Sequence, residues 1–202
     1  MLHLFLRGGP VMWPILVASL AALTVIIERI AFLIHEKRSR HPETIGKIFS
    51  AVEKGKIEEA IQAGEGCNDF IAVTLVHGLR HRQEAFSDAL FQAANKELKR
   101  FNRGLPVLDT IITLAPLLGL FGTVIGMIQA FGLLGGTELE APTVITGGIA
   151  EALIATAYGL LTAIVALIPF NYLNARLEDA RHEIEDATTH LELLLLKQDK
   201  DL

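Results

Sequence analysis

A single acidic residue, Glu151, interrupts a long apolar segment of this chain. It stands in the sequence Thr146-Gly-Gly-Ile-Ala-Glu-Ala-Leu-Ile-Ala-Thr156, and residues 141–175 contain no basic side chain that could pair with it. A charged side chain at the centre of a bilayer costs about 3 kcal/mol or more, so such residues are usually functional and face protein or water. Glu151 is therefore predicted to belong to a functional site.

Two threonines in apolar segments, Thr123 and Thr156, could act together with Glu151. A threonine hydroxyl inside a helix commonly donates to a carbonyl of its own helix, which would make both residues structural. If two helices bring these hydroxyls to a similar depth, and a ring of subunits repeats them, they form a polar belt that can hold water. The residues alone leave both roles open.

The elements that must position these side chains are membrane spans. The chain has 202 residues, of which 51% are hydrophobic and 20% charged, and its mean hydropathy is +0.42. Transmembrane helices are predicted at residues 11–34, 107–134 and 143–173, because each segment exceeds the roughly 20 residues that cross a bilayer. A cleaved signal peptide at the first span is disfavoured, since its apolar run is long and a basic cluster follows directly. The predicted fold class is an all-α membrane protein.

The orientation follows from the positive charges. Residues 34–105 contain twelve Lys or Arg, whereas the connection at residues 135–142 contains none. Because Lys and Arg near the ends of spans stay in the cytoplasm, residues 1–10 and the turn at 135–142 are predicted to be external. Residues 35–106 are predicted to form a cytoplasmic helical segment, and residues 174–202 a cytoplasmic helical tail.

No signature of an enzyme or of a cofactor site is found in the sequence. His77 and His81 have the spacing of metal ligands on a helix, but neighbouring arginines and the lack of nearby carboxylates favour a solvated basic face. The single cysteine, Cys67, excludes an internal disulfide and a cysteine-based metal site. Catalysis would also need a second placed group beside Glu151. We therefore expect no enzymatic activity, cofactor, metal or nucleic-acid partner.

A stripe of small and apolar residues runs along the third span into the tail at alternating steps of four and three. Its members are Ala152, Thr156, Gly159, Ala163, Ala166, Phe170, Leu173, Leu177, Ala180, Ile184, Ala187, Leu191 and Leu194. A continuous helix over residues 143–196 would be roughly 80 Å long and must bury this stripe. A ring of identical subunits would bury it, and packing on this chain's own helix at residues 86–101 is the alternative. That helix is expected to extend the second span into the cytoplasm, bent at Pro106 and Pro116.

Small residues on the second and third spans are predicted to pack helices closely. They are Gly119, Gly122, Gly126, Gly159 and Ala163. Glycine at such spacing lets helix backbones approach in a membrane, and we expect these residues to contribute to packing between subunits.

Motifs along nearly the whole chain resemble the MotA/TolQ/ExbB proton channel family. They are Gly9-Pro-Val-Met12, Pro14-Ile15, Glu28-Arg29, Leu108-Asp109, Ala115-Pro-Leu-Leu-Gly-Leu-Phe-Gly-Thr-Val-Ile-Gly126 and Gly148-Ile-Ala-Glu-Ala-Leu-Ile-Ala-Thr-Ala157. Three predicted spans make the chain similar to the ExbB/TolQ branch rather than to the flagellar branch.

The resemblance implies a pentameric ring in the bacterial inner membrane, surrounding partners of the ExbD/TolR type that each have a single span. In that family a partner aspartate carries protons, and the ring drives a TonB- or TolA-like protein with energy from the proton motive force. Thr123 and Thr156 would then be the pore threonines and Glu151 the pore glutamate. The alternative is a membrane scaffold that assembles and stabilises a partner and conducts nothing.

Overall fold

The protein is all-helical over the residues that the structure, a computed structural model, describes. These are residues 8–132 and 141–200, with side chains described for 8–132 and 146–198. The helices are α1 Met12–Arg38, α2 Pro42–Glu53, α3 Ile57–Gly64, α4 Phe70–Arg80, α5 Arg82–Asn102, α6 Leu105–Gly132 and α7 Ala141–Lys200. The external turn predicted at residues 135–142 lies almost wholly outside the described residues.

Three helical stretches are long and apolar enough to cross a membrane, which confirms the three spans expected from hydropathy. They lie in α1, in α6 and in the part of α7 that begins at Thr146. The remaining helices, α2 to α5, are shorter or more polar, and they connect the first span to the second. The chain is therefore a membrane protein with a helical segment between its first and second spans.

The helix expected to run from residue 86 into the second span is interrupted at Gly104. Helix α5 ends at Asn102 and α6 begins at Leu105, while Gly104 between them has a φ of +83°. This left-handed conformation is open to glycine and strained for other residues. A Cβ on Gly104 would also lie 2.9 Å from Cγ1 of Val25. Pro106 then falls in the first turn of α6, where its missing N–H is tolerated.

The third span continues as the 60-residue helix α7, as its periodic stripe predicts. Most members of the stripe are buried within a single chain; in the membrane part they include Ala152, Ala163 and Ala166, and further along Leu177 and Leu191. The expectation that a ring of subunits is needed to cover the stripe is therefore corrected. Packing within the chain covers most of it, and in the membrane part the stripe meets α6 rather than the helix at residues 86–101 that was the alternative. Assembly into a ring stays a prediction.

The chain divides into two compact units. The first contains residues 1–29 and 104–172 and holds the predicted site; the second contains residues 30–103 and 173–202. The core of the second unit is built from apolar side chains of α2, α3 and α4. It includes Ile48, Val52, Ala60, Ala72 and Leu75, all of which are completely buried.

A buried acid, Asp69, joins the start of α4 to the loop that precedes α2 in the second unit. Its carboxylate accepts hydrogen bonds from the backbone N–H of Ile71 at 3.0 Å and of His41 at 2.8 Å, and it is fully buried. Arg40 forms an ion pair with the same carboxylate at 3.5 Å. Asp69 is therefore the N-cap of α4, and it also accepts a hydrogen bond from the backbone N–H of His41, which is distant in sequence.

Asp69→Ala is expected to lower the free energy of unfolding of the second unit. The loss should be about 2 kcal/mol or more, because a helix cap disappears and a buried N–H loses its acceptor. Thermal unfolding followed by circular dichroism measures the effect. Asp179→Ala is the control: Asp179 is exposed and pairs with Arg176 on the same helix, so its loss should change stability little. Equal unfolding temperatures of the two variants would contradict the role of Asp69 as a helix cap and buried acceptor.

Candidate functional site

Helices α6 and α7 approach so closely at Gly119 and Gly159 that neither position has room for a side chain. A Cβ on Gly159 would overlap the carbonyl oxygen of Ala115 and would lie 3.1 Å from Cα of Gly119. A Cβ on Gly119 would lie 2.9 Å from Cα of Thr156. The obstructing atoms are mostly backbone, which cannot move without moving a helix.

The same contact continues toward the start of α7. A Cβ on Gly122 would lie 2.7 Å from Cβ of Ala155, and one on Gly126 would lie 2.9 Å from Cβ of Ala152. Ala163, one turn after Gly159, is buried as well. The small residues predicted for packing thus lie between two helices of one subunit; a contribution to contacts between subunits stays a prediction.

This close approach gives Thr156 a partner on the neighbouring helix. Its hydroxyl donates to the carbonyl oxygen of Gly119 at 2.8 Å. Thr123 lies one turn after Gly119 on α6, and its hydroxyl donates to Leu120 of its own helix at 2.6 Å. The structure therefore brings Thr156 to the turn of α6 that carries Thr123, and both hydroxyls have acceptors within the chain.

Glu151 lies on a different side of α7 from Thr156, since five residues correspond to roughly 500° of rotation. It is partly buried, and its carboxyl group contacts Gly9 in the turn that precedes α1. Over the described residues Glu151 forms neither an ion pair nor a hydrogen bond, and it is not bonded to either threonine. The site therefore has two parts: a hydroxyl contact between α6 and α7, and a carboxyl group beside the start of α1.

Gly9 has no role that the sequence alone predicts, although it stands in one of the motifs that resemble the family. A signal was present, because Gly8-Gly9-Pro10 directly before an apolar helix predicts a turn. The contact itself joins residues 142 positions apart, and no local pattern reveals it.

The two histidines predicted to belong to a basic face, His77 and His81, lie side by side in the second unit. The rings of His77 and His81 are 4.7 Å apart, and no cluster of three or more potential metal ligands occurs among the described residues. Burial lowers the pKa of His77, and the positive charges of His81, Lys96 and Arg80 lower it further. A cationic neighbourhood of this kind agrees with the predicted basic face.

The described residues are helical, three helices are apolar spans, and the third span contains a carboxyl group. The protein therefore falls in the class of helical membrane proteins with an ionisable intramembrane site. Residues 63–186, more than half the chain, match the MotA/TolQ/ExbB proton channel family. The chain belongs to this family, which is a family of channel and transport proteins rather than of enzymes. The family membership that the sequence motifs indicate is confirmed.

Similarity to individual proteins agrees with the ExbB/TolQ branch. A protein of Synechocystis named as a biopolymer transport protein, ExbB-like 1, is 40% identical over 84% of this chain and 68% of its own length. The biopolymer transport protein ExbB of Pseudomonas putida is 30% identical over 95% of this chain and 60% of its own length. The Tol-Pal system protein TolQ of Haemophilus influenzae is 39% identical over 51% of this chain and 47% of its own length. The chain thus spans about two thirds or less of the length of these relatives.

Proposed function

We propose that this chain is the ring-forming subunit of a proton-driven motor complex in the bacterial inner membrane. A homopentamer would surround single-span partners of the ExbD/TolR type and would transmit work to a TonB- or TolA-like protein for envelope transport. The N-terminus would lie in the periplasm, and the C-terminus with residues 35–106 in the cytoplasm. Family membership supports this assignment, as do the names of the relatives.

The observation that carries the proposal is the carboxyl group of Glu151 in the third span. Its neighbours on the helix are apolar or small, and no cation compensates it among the described residues. A carboxyl group in this position is expensive in hydrocarbon and is therefore expected to face a hydrated path. A ring of subunits would create such a path along its axis.

Exposed apolar side chains outside the spans support assembly into a ring. Phe91 on α5 is 68% exposed, and Leu193 and Leu196 near the end of α7 are 60% and 59% exposed. All three lie in the second unit, for which a cytoplasmic location is predicted. Lipid cannot cover them there, so contacts with neighbouring subunits would bury apolar surface that is otherwise in water.

In the proposed mechanism a proton enters from the periplasm and neutralises an aspartate of the partner beside Thr123 and Thr156. Loss of that charge changes which ring subunit the partner prefers, and the partner then rotates or rocks within the ring. Each charge that crosses 100 mV releases roughly 2.3 kcal/mol. Glu151 would set the hydration and the local field at the periplasmic end of the path.

The competing function, a scaffold that conducts nothing, is favoured by one observation. The hydroxyls of Thr123 and Thr156 already have acceptors within the chain, which is the bonding expected of structural threonines. Under that hypothesis the Thr156 hydroxyl only joins α6 to α7, and its removal would affect stability alone.

Proton flux through the unsubstituted ring separates the two functions, and replacement of the Thr156 hydroxyl then tests its role in the proton path. Thr156→Val should abolish proton flux in liposomes that contain the chain and its partner, while the loss in stability stays at about 0.6 kcal/mol, typical of one hydrogen bond between membrane helices. A pH-sensitive dye inside the liposomes reports the flux. Thr24→Val is the matched control, because the Thr24 hydroxyl donates to the carbonyl oxygen of Leu20 in its own helix α1 at 2.8 Å, and this variant should conduct normally.

Normal flux through the Thr156→Val ring would contradict a role for this hydroxyl in the proton path. Absence of flux through the unsubstituted ring with its partner, under an imposed pH gradient, would instead support the scaffold.

A further inference from the structure

A tight turn at Gly8, Gly9 and Pro10 leads into α1 and lies against α7. Gly9 has a φ of +73°, a conformation that side chains with a Cβ rarely adopt. Its carbonyl accepts the N–H of Met12 at 3.2 Å, and the carbonyl of Pro10 accepts the N–H of Trp13 at 3.3 Å. The turn is thus the hydrogen-bonded beginning of the first helix.

The space beside Gly9, where other residues carry a Cβ, is occupied by Glu151. A Cβ built on Gly9 would overlap Oε1 of Glu151 and would lie 2.9 Å from its carboxyl carbon and 3.3 Å from its Cγ. The obstructing atoms are the end of a flexible side chain. A substitution at Gly9 would therefore displace the carboxyl group before it displaced a helix.

The turn is held in place by buried neighbours on both sides. Val11, Met12 and Ile15 at the start of α1 are 6%, 1% and 2% exposed. A Cβ on Gly8 would lie 3.1 Å from Cγ2 of Ile154, one turn after Glu151 on the face that meets the turn. Glu151 therefore meets a turn that is continuous with buried side chains of α1 and packs against α7.

We propose that the Gly8–Pro10 turn positions the carboxyl group of Glu151, and that Gly9 lacks a side chain because the carboxyl group occupies its place. The beginning of a helix also carries a partial positive charge, which attracts a carboxylate. The functional consequence rests on the proposed proton conduction: α1 influences the proton path because the turn before it holds the acidic group of Glu151. Gly9 is a positioning residue, and Glu151 is the acidic group that it positions at the periplasmic end of the path.

A second glycine of the chain provides a control for backbone strain. Gly66 has a φ of +76°, close to that of Gly9, but no atom lies within 4 Å of the place where its Cβ would be. Gly66→Ala therefore introduces strain without a collision, whereas Gly9→Ala introduces strain and moves the carboxyl group of Glu151.

The first measurement is proton flux in liposomes that contain the assembled ring and its partner. Gly9→Ala should reduce flux roughly tenfold, equivalent to a rise of about 1.4 kcal/mol in the barrier, while Gly66→Ala should conduct normally. Conduction by the unsubstituted ring with equal conduction by Gly9→Ala would overturn the inference and leave the proposed function intact.

The second measurement does not depend on conduction. A hydrophobic carbodiimide reacts with intramembrane carboxyl groups, and mass spectrometry reports the labelling rate of Glu151. Gly9→Ala should change this rate, because the carboxyl group has moved, and Gly66→Ala should not. Identical labelling rates in the Gly9→Ala ring and the unsubstituted ring would overturn the inference. This holds whether or not the unsubstituted ring conducts, because a lack of conduction counts only against the proposed function.

If the Gly9→Ala ring fails to assemble, a compensating substitution at Glu151 still tests the proposed contact. The double variant Gly9→Ala with Glu151→Asp withdraws the carboxyl group by one methylene and makes room for the added methyl group. Assembly of this double variant, measured by size-exclusion chromatography, would support the proposed contact. Failure of both variants, with assembly of Glu151→Asp alone, would refute it.

Discussion

Glu151→Ala is expected to abolish proton flux while the ring remains assembled. The substitution removes a carboxyl group that is partly buried in an apolar helix, so the protein loses no ion pair among its described residues and gains apolar surface in the membrane. Stability in detergent should therefore stay the same or rise, because an uncompensated acid is expensive in hydrocarbon. Flux is measured with the partner present, in liposomes carrying an internal pH-sensitive dye.

Two control variants make the result for Glu151 specific. Glu151→Gln keeps the shape of the side chain and removes the acidic group that sets the local field, so it should also fail to conduct. Glu178→Ala removes an exposed acid of the second unit that pairs with Arg181 at 3.6 Å, and it should conduct normally. Full conduction by the Glu151→Gln ring would show that an acidic group at this position is unnecessary.

Gly159→Ala is expected to destabilise the spans more than any other small change on α7. The added Cβ would overlap the carbonyl oxygen of Ala115 and crowd Gly119, and these backbone atoms can give way only if the helices separate. Overpacking of this kind costs about 1–3 kcal/mol. It should also lengthen the bond from Thr156 to Gly119, so proton flux should fall together with thermal stability.

Gly147→Ala is the matched control on the same helix. No atom lies within 4 Å of the place where its Cβ would be, and alanine in an exposed helix is stabilising by about 0.4–1 kcal/mol relative to glycine. The two variants should therefore shift the unfolding temperature in opposite directions. A shift of the same sign and size for both would show that helix propensity, and not the contact between α6 and α7, determines the effect.

The spans and the identity of the family could be predicted from the sequence for simple physical reasons. An apolar run longer than about 20 residues has few alternatives to a membrane helix, and the motifs around Thr123 and Glu151 are long and specific. The continuity of α7 was also predictable, because its stripe keeps one register from Ala152 to Leu194. These properties depend on neighbours in sequence, which periodicity reports directly.

The limits of local patterns are visible at Gly104 and in the stripe of α7. The helical period around residue 100 favours continuation into the second span, yet the positive φ of Gly104 separates two helices. The stripe indicates that a surface must be buried but not what buries it; within the described residues the chain itself covers most of it.

The sequence by itself determined that three apolar helices cross a membrane and that one of them contains an acid, because hydropathy and charge act through composition and spacing. Only the tertiary structure decided which groups these residues meet: the Thr156 hydroxyl bonds Gly119, and the carboxyl group of Glu151 lies against Gly9. Both contacts join residues far apart in the chain, and they depend on how closely helix backbones approach. That distance is set by the packing of glycines and alanines on separate helices, which no single segment encodes.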